Sequence, residues 1–289
     1  MSKSKGTGIS PDELLSKFPV DTIRLWAALG SAIGKNKPFL YNDVDYAKSF
    51  ITKLWNSAMF VKNAMAEIGI PKVEPKKDLG IFDIWILNRL NTIIKQAENA
   101  YENFNFYEVA STVMNFYWHE FADYYIENVK HRVYSEDRKM AKSRHAAAFT
   151  LERVLFTTLA LLAPIMPHAA EEVYSLFKNQ SSIFNEKFPV HKVRSEPSDY
   201  VINGVVFRNE LIEIDYEDSG AFINTIIAAV RTAKAKNRLA LNKETASINI
   251  NVPEEYYRAT DAAKDELARI CKAKEVKVAR GVYSVEVKI

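Results

Sequence analysis

Ser2-Lys3-Ser4-Lys5-Gly6 gathers two ammonium groups, two hydroxyls and a glycine amide at the start of this 289-residue chain. Such groups on an unhindered loop can donate to a polyphosphate, although a polar terminal tail has the same composition. A second candidate site follows from periodicity. At ~100° per residue, Ser49, Thr52, Lys53, Asn56, Phe60 and Asn63 fall on one face of a helix, opposite the apolar positions Ala47, Phe50, Ile51, Leu54, Ala58, Val61 and Met65. Phe60 is then a ring on the polar side, one turn from Asn56. It either packs on a neighbouring element or stacks on an unpaired base whose edge Asn56 bonds. Lys130, His131 and Arg132 form a basic cluster suited to phosphate or base contact, or to complementing a helix dipole. Arg231, Lys234 and Arg238 recur at helical spacing, as a phosphate-tracking stripe or a solvated face.

Composition limits the chemistry. The chain is 48% hydrophobic and 12% aromatic, enough for two or three packed domains. Cys271 is the single cysteine, so no intrachain disulfide is possible and a reducing, cytoplasmic location is expected. No Cys/His cluster has zinc spacing, and no metal is expected. The apolar run 154–166 falls roughly five residues short of the ~18 needed to cross a bilayer. A net charge of +3 does not itself announce nucleic acid, but basic residues concentrate in 130–145 and 231–243.

The elements that must hold these groups are mainly helical. Ser10-Pro11-Asp12-Glu13 reads as a capped helix start, and a second short helix runs from Asp21 to Leu29. Asp21 either caps that helix or, with Arg24, orients it. From Val44 the helical pattern continues to Gly69-Ile70-Pro71. Further helices are predicted over 81–104, about 107–133, about 135 or 139 to 163, and 168–177, with Pro164 and Pro167 as breaks. These make an α-helical bundle. A polar stretch with Pro197 suits a linker. Asn203-Gly204 between apolar runs predicts a hairpin. A helix over 218–238, a strand over 246–252, a helix over 253–273 and a final hairpin turning at Arg280-Gly281 then complete a small α+β domain.

The order of motifs resembles one family. Met1 to Gly6 is similar to the KMSKS loop of the class Ia aminoacyl-tRNA synthetases. Pro11-Asp12-Glu13 and Val20 to Trp26 resemble the stem-contact helices that follow it. The segment 50–61 looks like the first anticodon-domain helix of the valyl enzymes in particular. Segments 123–127, 162–172 and 230–242 resemble later parts of the same proteins. Gly6-Thr7-Gly8 and Pro19-Val20 depart from the family's usual Gly-Asn and Gly-Ala.

The resemblance implies a fold, namely an anticodon-binding bundle preceded by a KMSKS and stem-contact segment and followed by a small α+β domain. It implies boundaries at 1–43, 44–189, a linker at 190–198, and 199–289. It implies the ATP-dependent attachment of valine to tRNA(Val), with Mg2+. Lys3, Ser2 and Ser4 are then the catalytic residues, and Lys3 and Lys5 the ATP contacts. Lys53, Asn56, Phe60, Lys130, Arg132, Arg231, Lys234 and Arg238 become the tRNA contacts. Because no HIGH-type motif or nucleotide-binding pattern precedes the loop, the chain is expected to be a C-terminal portion, inactive alone. A free-standing tRNA-binding module, or an isoleucyl or leucyl relative, is the alternative.

Overall fold

The computed structural model describes residues 9–30, 34, 39–74, 78–178, 181–192, 200–202, 205–207 and 215–288. Helices α1 (Pro11–Lys17), α2 (Val20–Leu29), α3 (Tyr41–Ile68), α4 (Ile81–Glu102) and α5 (Phe106–Asn115) come first. A π-helical segment, Phe116–Tyr125, leads into α6 (Ile126–Val133). Then follow α7 (Ala141–Leu162), α8 (Pro167–Ser175), strands β1 (Tyr200–Ile202) and β2 (Val205–Phe207), and α9 (Tyr216–Lys236). β3 (Thr245–Val252), α10 (Glu254–Ala262), α11 (Lys264–Cys271), β4 (Ala273–Arg280) and β5 (Ser284–Lys288) complete the chain.

These elements fall into two compact units. The first takes the described residues of Met1–Ile70, Leu90–Asp123 and Thr150–His191; the second takes those of Pro71–Arg89, Tyr124–Phe149 and Lys192–Ile289.

Local chemistry explains the helix ends of the first unit. The Glu13 amide donates to Ser10 Oγ at 3.1 Å, which caps α1 as its sequence predicts. At the other end of α3, Gly69 takes φ 80°, a conformation that costs a β-carbon-free residue little. Asp21 does not cap its own helix. Its carboxylate accepts from the Ala169 amide at 2.6 Å and faces His168 Nδ1 at 3.0 Å, so it caps α8 instead. One turn on, Arg24 donates from Nε to the Ile165 carbonyl at 2.8 Å and from Nη2 to the Pro164 carbonyl at 3.0 Å. The carbonyls freed by the proline break between α7 and α8 thus find their donors on α2.

The helix expected as one piece over 107–133 is interrupted by the π segment. Along it Phe116, Tyr117, Phe121 and Tyr125 are each buried, while His119 is exposed and Trp118 and Asp123 are half-buried. Helix α7 is more membrane-like than the run 154–166 implied. An 18-residue window within Arg138–Leu162 has a mean hydropathy of 1.3, and 61% of that window is buried inside the protein, which accounts for it as core.

The second unit centres on a buried ion pair. Arg132 on α6 is 2% exposed and grips Asp83 on α4 through two bonds, Nη1–Oδ1 at 2.9 Å and Nη2–Oδ2 at 2.7 Å. Asp83 also accepts from the Tyr125 hydroxyl and from the Gly80 amide at the mouth of α4. Arg132 gives two further donors, from Nε and Nη2, to the Ser143 carbonyl. The Glu266 carboxylate lies 3.6 Å from Nη1; burial, opposed by Arg132 and reinforced by Asp83, raises its pKa to about 7.

Two expectations for the second unit are corrected. The helix over 253–273 is two helices broken at Ala263, which lets Ala259, Thr260 and Ala263 as well as Leu267 and Cys271 be buried. The last two strands are not a hairpin: the sheet order is β4-β3-β5, with β3 parallel to β4 and antiparallel to β5. The Gly281 amide bonds the Val252 carbonyl of β3, so the chain crosses over the end of β3 rather than folding back on β4. β1 and β2 pair antiparallel, as the apolar runs predict, and the Asn203-Gly204 turn lies outside the described residues.

Two measurements check this packing. Gly220 on α9 approaches Trp85 so closely that an added Cβ would lie 2.4 Å from the ring. Gly220→Ala is expected to cost about 2–4 kcal/mol in denaturant unfolding. Glu266, with its folded pKa raised, contributes stability below about pH 4.5 that is lost as pH rises through about 7. Glu266→Gln should therefore gain on the parent between pH 5 and 8, by on the order of 2–3 kcal/mol in unfolding free energy. A pH-independent difference would contradict this.

Candidate nucleic-acid interface

The long helix α3 carries the first candidate face. Val44, Ala47, Phe50, Leu54, Ala58 and Val61 are buried, while Ser49, Thr52, Asn56 and Asn63 are exposed on the other side. Lys53 and Phe60 are half-buried at the border.

Three ties from α3 to the π segment hold that face. Ser57 Oγ and the Tyr117 hydroxyl lie 2.6 Å apart in the buried layer, where desolvation raises the Tyr117 pKa and keeps the phenol neutral. Lys53 Nζ donates to Asp123 Oδ1 at 2.8 Å, and His119 Nδ1 sits 3.4 Å from the other oxygen of that carboxylate. The Tyr46 ring stacks on Trp118 with centroids 5.7 Å apart and planes 7° apart. Tyr46, Lys53 and Phe60 stand at intervals of seven, so an aromatic ring, a cation and a second ring share one stripe about 21 Å long. Stacking surfaces, a cation and exposed amides on a rigid helix suit a partner with unpaired bases.

Tyr46, Trp118, His119 and Asp123 were not among the expected contacts. Seven-residue spacing points to Tyr46; nothing in the sequence pairs Asp123 with Lys53 across seventy positions.

The basic clusters are placed differently. Arg132, expected as a tRNA contact, is corrected to an interior group committed to Asp83 and Ser143. Lys234 is corrected likewise: it is 2% exposed and donates to the carbonyls of Leu241, Lys243 and Cys271 at 3.2, 2.6 and 2.6 Å. A shielded ammonium has three donors to place, and the loop after α9 and the end of α11 supply three oxygens. Burial lowers its pKa. Arg238 lies beyond the end of α9, with φ 55°, so it does not continue a stripe with Arg231. Arg231 is half-buried on α9, and Lys130 pairs with Glu127 at 2.5 Å. Burial, then the neighbouring Arg132, lowers the His131 pKa to about 4, so this ring is neutral near pH 7. Ser2, Lys3, Ser4 and Lys5 lie outside the described residues.

Comparison with known proteins decides the family. The family described as "Anticodon-binding domain of tRNA ligase" matches residues 83–250, more than half of the chain. The chain belongs to this anticodon-binding domain family. Along its whole length it is 32% identical to the valine–tRNA ligase of Pyrococcus furiosus, covering 30% of that protein. It is 34% identical over 93% of its length to the valine–tRNA ligase of Methanothermobacter thermautotrophicus, covering 28%. The chain thus spans about 30% of the length of the curated relatives it matches. A LeuRS–tRNA–LeuAMS ternary complex from Agrobacterium radiobacter K84 shares the fold, with a TM-score of 0.52, 17% identity, and coverage of 81% of this chain and 28% of that one. The anticodon-binding fold here is mainly α-helical with a small sheet, as expected from the sequence.

Replacing Lys234 separates its interior role from a surface one. Lys234→Met leaves three carbonyls without donors and is expected to destabilise the protein by about 2–3 kcal/mol in thermal or denaturant unfolding. Arg238→Ala should change stability by less than about 0.5 kcal/mol.

Proposed function

We propose that this chain is the tRNA-recognition part of a valine–tRNA ligase and that its partner is tRNA(Val). The exposed face of α3 carries the reading: Thr52, Asn56 and Asn63 present polar groups beside Lys53 and Phe60, in a chain that belongs to the anticodon-binding domain family. In this reading Asn56 bonds the edge of an unpaired anticodon base, Phe60 supports it by stacking, and Lys53 faces the adjoining backbone. The chain is the C-terminal portion of the enzyme, acting in the cytoplasm, with 44–189 as the anticodon-binding bundle and 199–289 as the appended domain. Attachment of valine through an adenylate, with ATP and Mg2+, belongs to the whole ligase, and Lys3 with its neighbours is assigned to the pyrophosphate end of that reaction. What supports the valine assignment is the name borne by the relatives that match across the chain.

Equilibrium binding to tRNAs that differ in anticodon tests this. The parent should prefer the valine anticodon, and Asn56→Ala should weaken that complex by about 1–3 kcal/mol, with a smaller effect on the others. Equal affinity of the parent for valine, isoleucine and leucine anticodons would sink it.

A further inference from the structure

The turn between α4 and α5 places a phenylalanine where the backbone favours glycine. The Phe104 amide donates to the Tyr101 carbonyl at 3.0 Å and the Asn105 amide to the Ala100 carbonyl at 2.8 Å, which closes α4 with Phe104 at φ 55°. In that left-handed conformation a Cβ is crowded by the backbone, so a bulky aromatic destabilises the turn relative to glycine. Packing does not offset this, since Phe104 is 73% exposed. A ring held toward solvent against the preference of its own backbone points to a task outside the fold.

Phe104 lines a cavity of about 520 Å³ within the first unit, together with Arg24, Phe106, Tyr107, Pro164 and Ile165. The volume suits a ligand of small-molecule size, within the range of roughly 300–1,000 Å³. Phe106 and Tyr107 are exposed as well, and the Phe106 ring is held edge-on against Tyr101 at 6.1 Å and 76°. Arg24 is fixed by the bonds from its Nε and Nη2 to the Ile165 and Pro164 carbonyls. Among the described residues its Nη1 has no partner, and no carboxylate pairs with it or lines the cavity. The site therefore presents one positive charge without a counter-ion, beside exposed rings.

That pairing selects an anion carrying an aromatic face. A fixed guanidinium edge takes a phosphate oxygen, and an exposed ring takes a base that is not already stacked in a duplex. We infer that this cavity receives one unpaired nucleotide of the bound tRNA, with its base stacked on Phe104 and its phosphate on Nη1 of Arg24. The inference rests on the tRNA reading above, and the site shares no residue with the exposed face of α3.

The test uses the full chain with tRNA(Val) as the probe and leaves Arg24 in place, because its loss would also free two carbonyls. Phe104→Gly should raise the thermal unfolding midpoint, since glycine accepts φ 55°, and weaken tRNA(Val) binding at least about fivefold. Phe104→Trp keeps a stacking face and should bind within about twofold of the parent. With p-benzoylphenylalanine in place of Phe104, a photocrosslink is expected at a nucleotide outside the base-paired stems. A lowered midpoint in Phe104→Gly makes the ring structural and overturns the site, as does a crosslink confined to a stem. Full affinity in Phe104→Gly alongside loss in Asn56→Ala overturns this site and leaves the tRNA reading standing, whereas a parent that does not bind tRNA(Val) overturns both.

Discussion

The salt bridge between Asp83 and Arg132 is the interaction on which the second unit depends. Two opposite charges at 0% and 2% exposure tolerate no partial satisfaction, because removing either leaves the other unpaired in a poorly solvated interior. The groups that complete the pair come from separate places in the chain: the Gly80 amide before α4, the Tyr125 hydroxyl at the end of the π segment, and the Ser143 carbonyl in the first turn of α7. Each also marks a helix boundary. Satisfying one guanidinium and one carboxylate therefore fixes where three helices begin or end. Lys234 does similar work nearby, tying α9 to the loop behind it and to the last turn of α11.

In the first unit the corresponding constraint is spread along α3. Its buried side is apolar apart from Ser57, which meets the neutral Tyr117 phenol. Its outer side is bound to the π segment by an exposed ion pair and a ring stack, of which the ion pair alone is worth little. The rigidity of the exposed face comes from the core beneath it. Asn56 and Asn63 are thereby held by a helix rather than a loop, a mounting that fixes hydrogen-bonding groups well.

How much of this was legible follows from which forces are local. The apolar period of α3, the Ser10 cap and the proline breaks are local, and they predict elements within a few residues of where they stand. The mainly helical class and the synthetase resemblance were legible for the same reason. Arg132 and Lys234 were misplaced because a basic residue in a helical run ordinarily faces water. What turned them inward is a carboxylate 49 positions away in one case and three backbone carbonyls in the other. Asp21 looked like the cap of the helix it begins, and it caps one 148 positions later. The order of β4, β3 and β5 depends on which strand the other two can cover, which no short window contains. The stack of Tyr46 on Trp118 was hidden similarly, by separation along the chain.

The π segment carries a consequence for how this region can vary. An α-helix turns about 100° per residue, so a change in length re-aims every side chain beyond it. Between Phe116 and Tyr125 the backbone carries extra residues in its turns, and Trp118, His119 and Asp123 owe their direction to them. A one-residue deletion would let the segment tighten toward an α-helix and rotate the Asp123 carboxylate away from Lys53. In this stretch the count of residues is itself part of the specification, and gaps in an alignment say more about the exposed face than substitutions do.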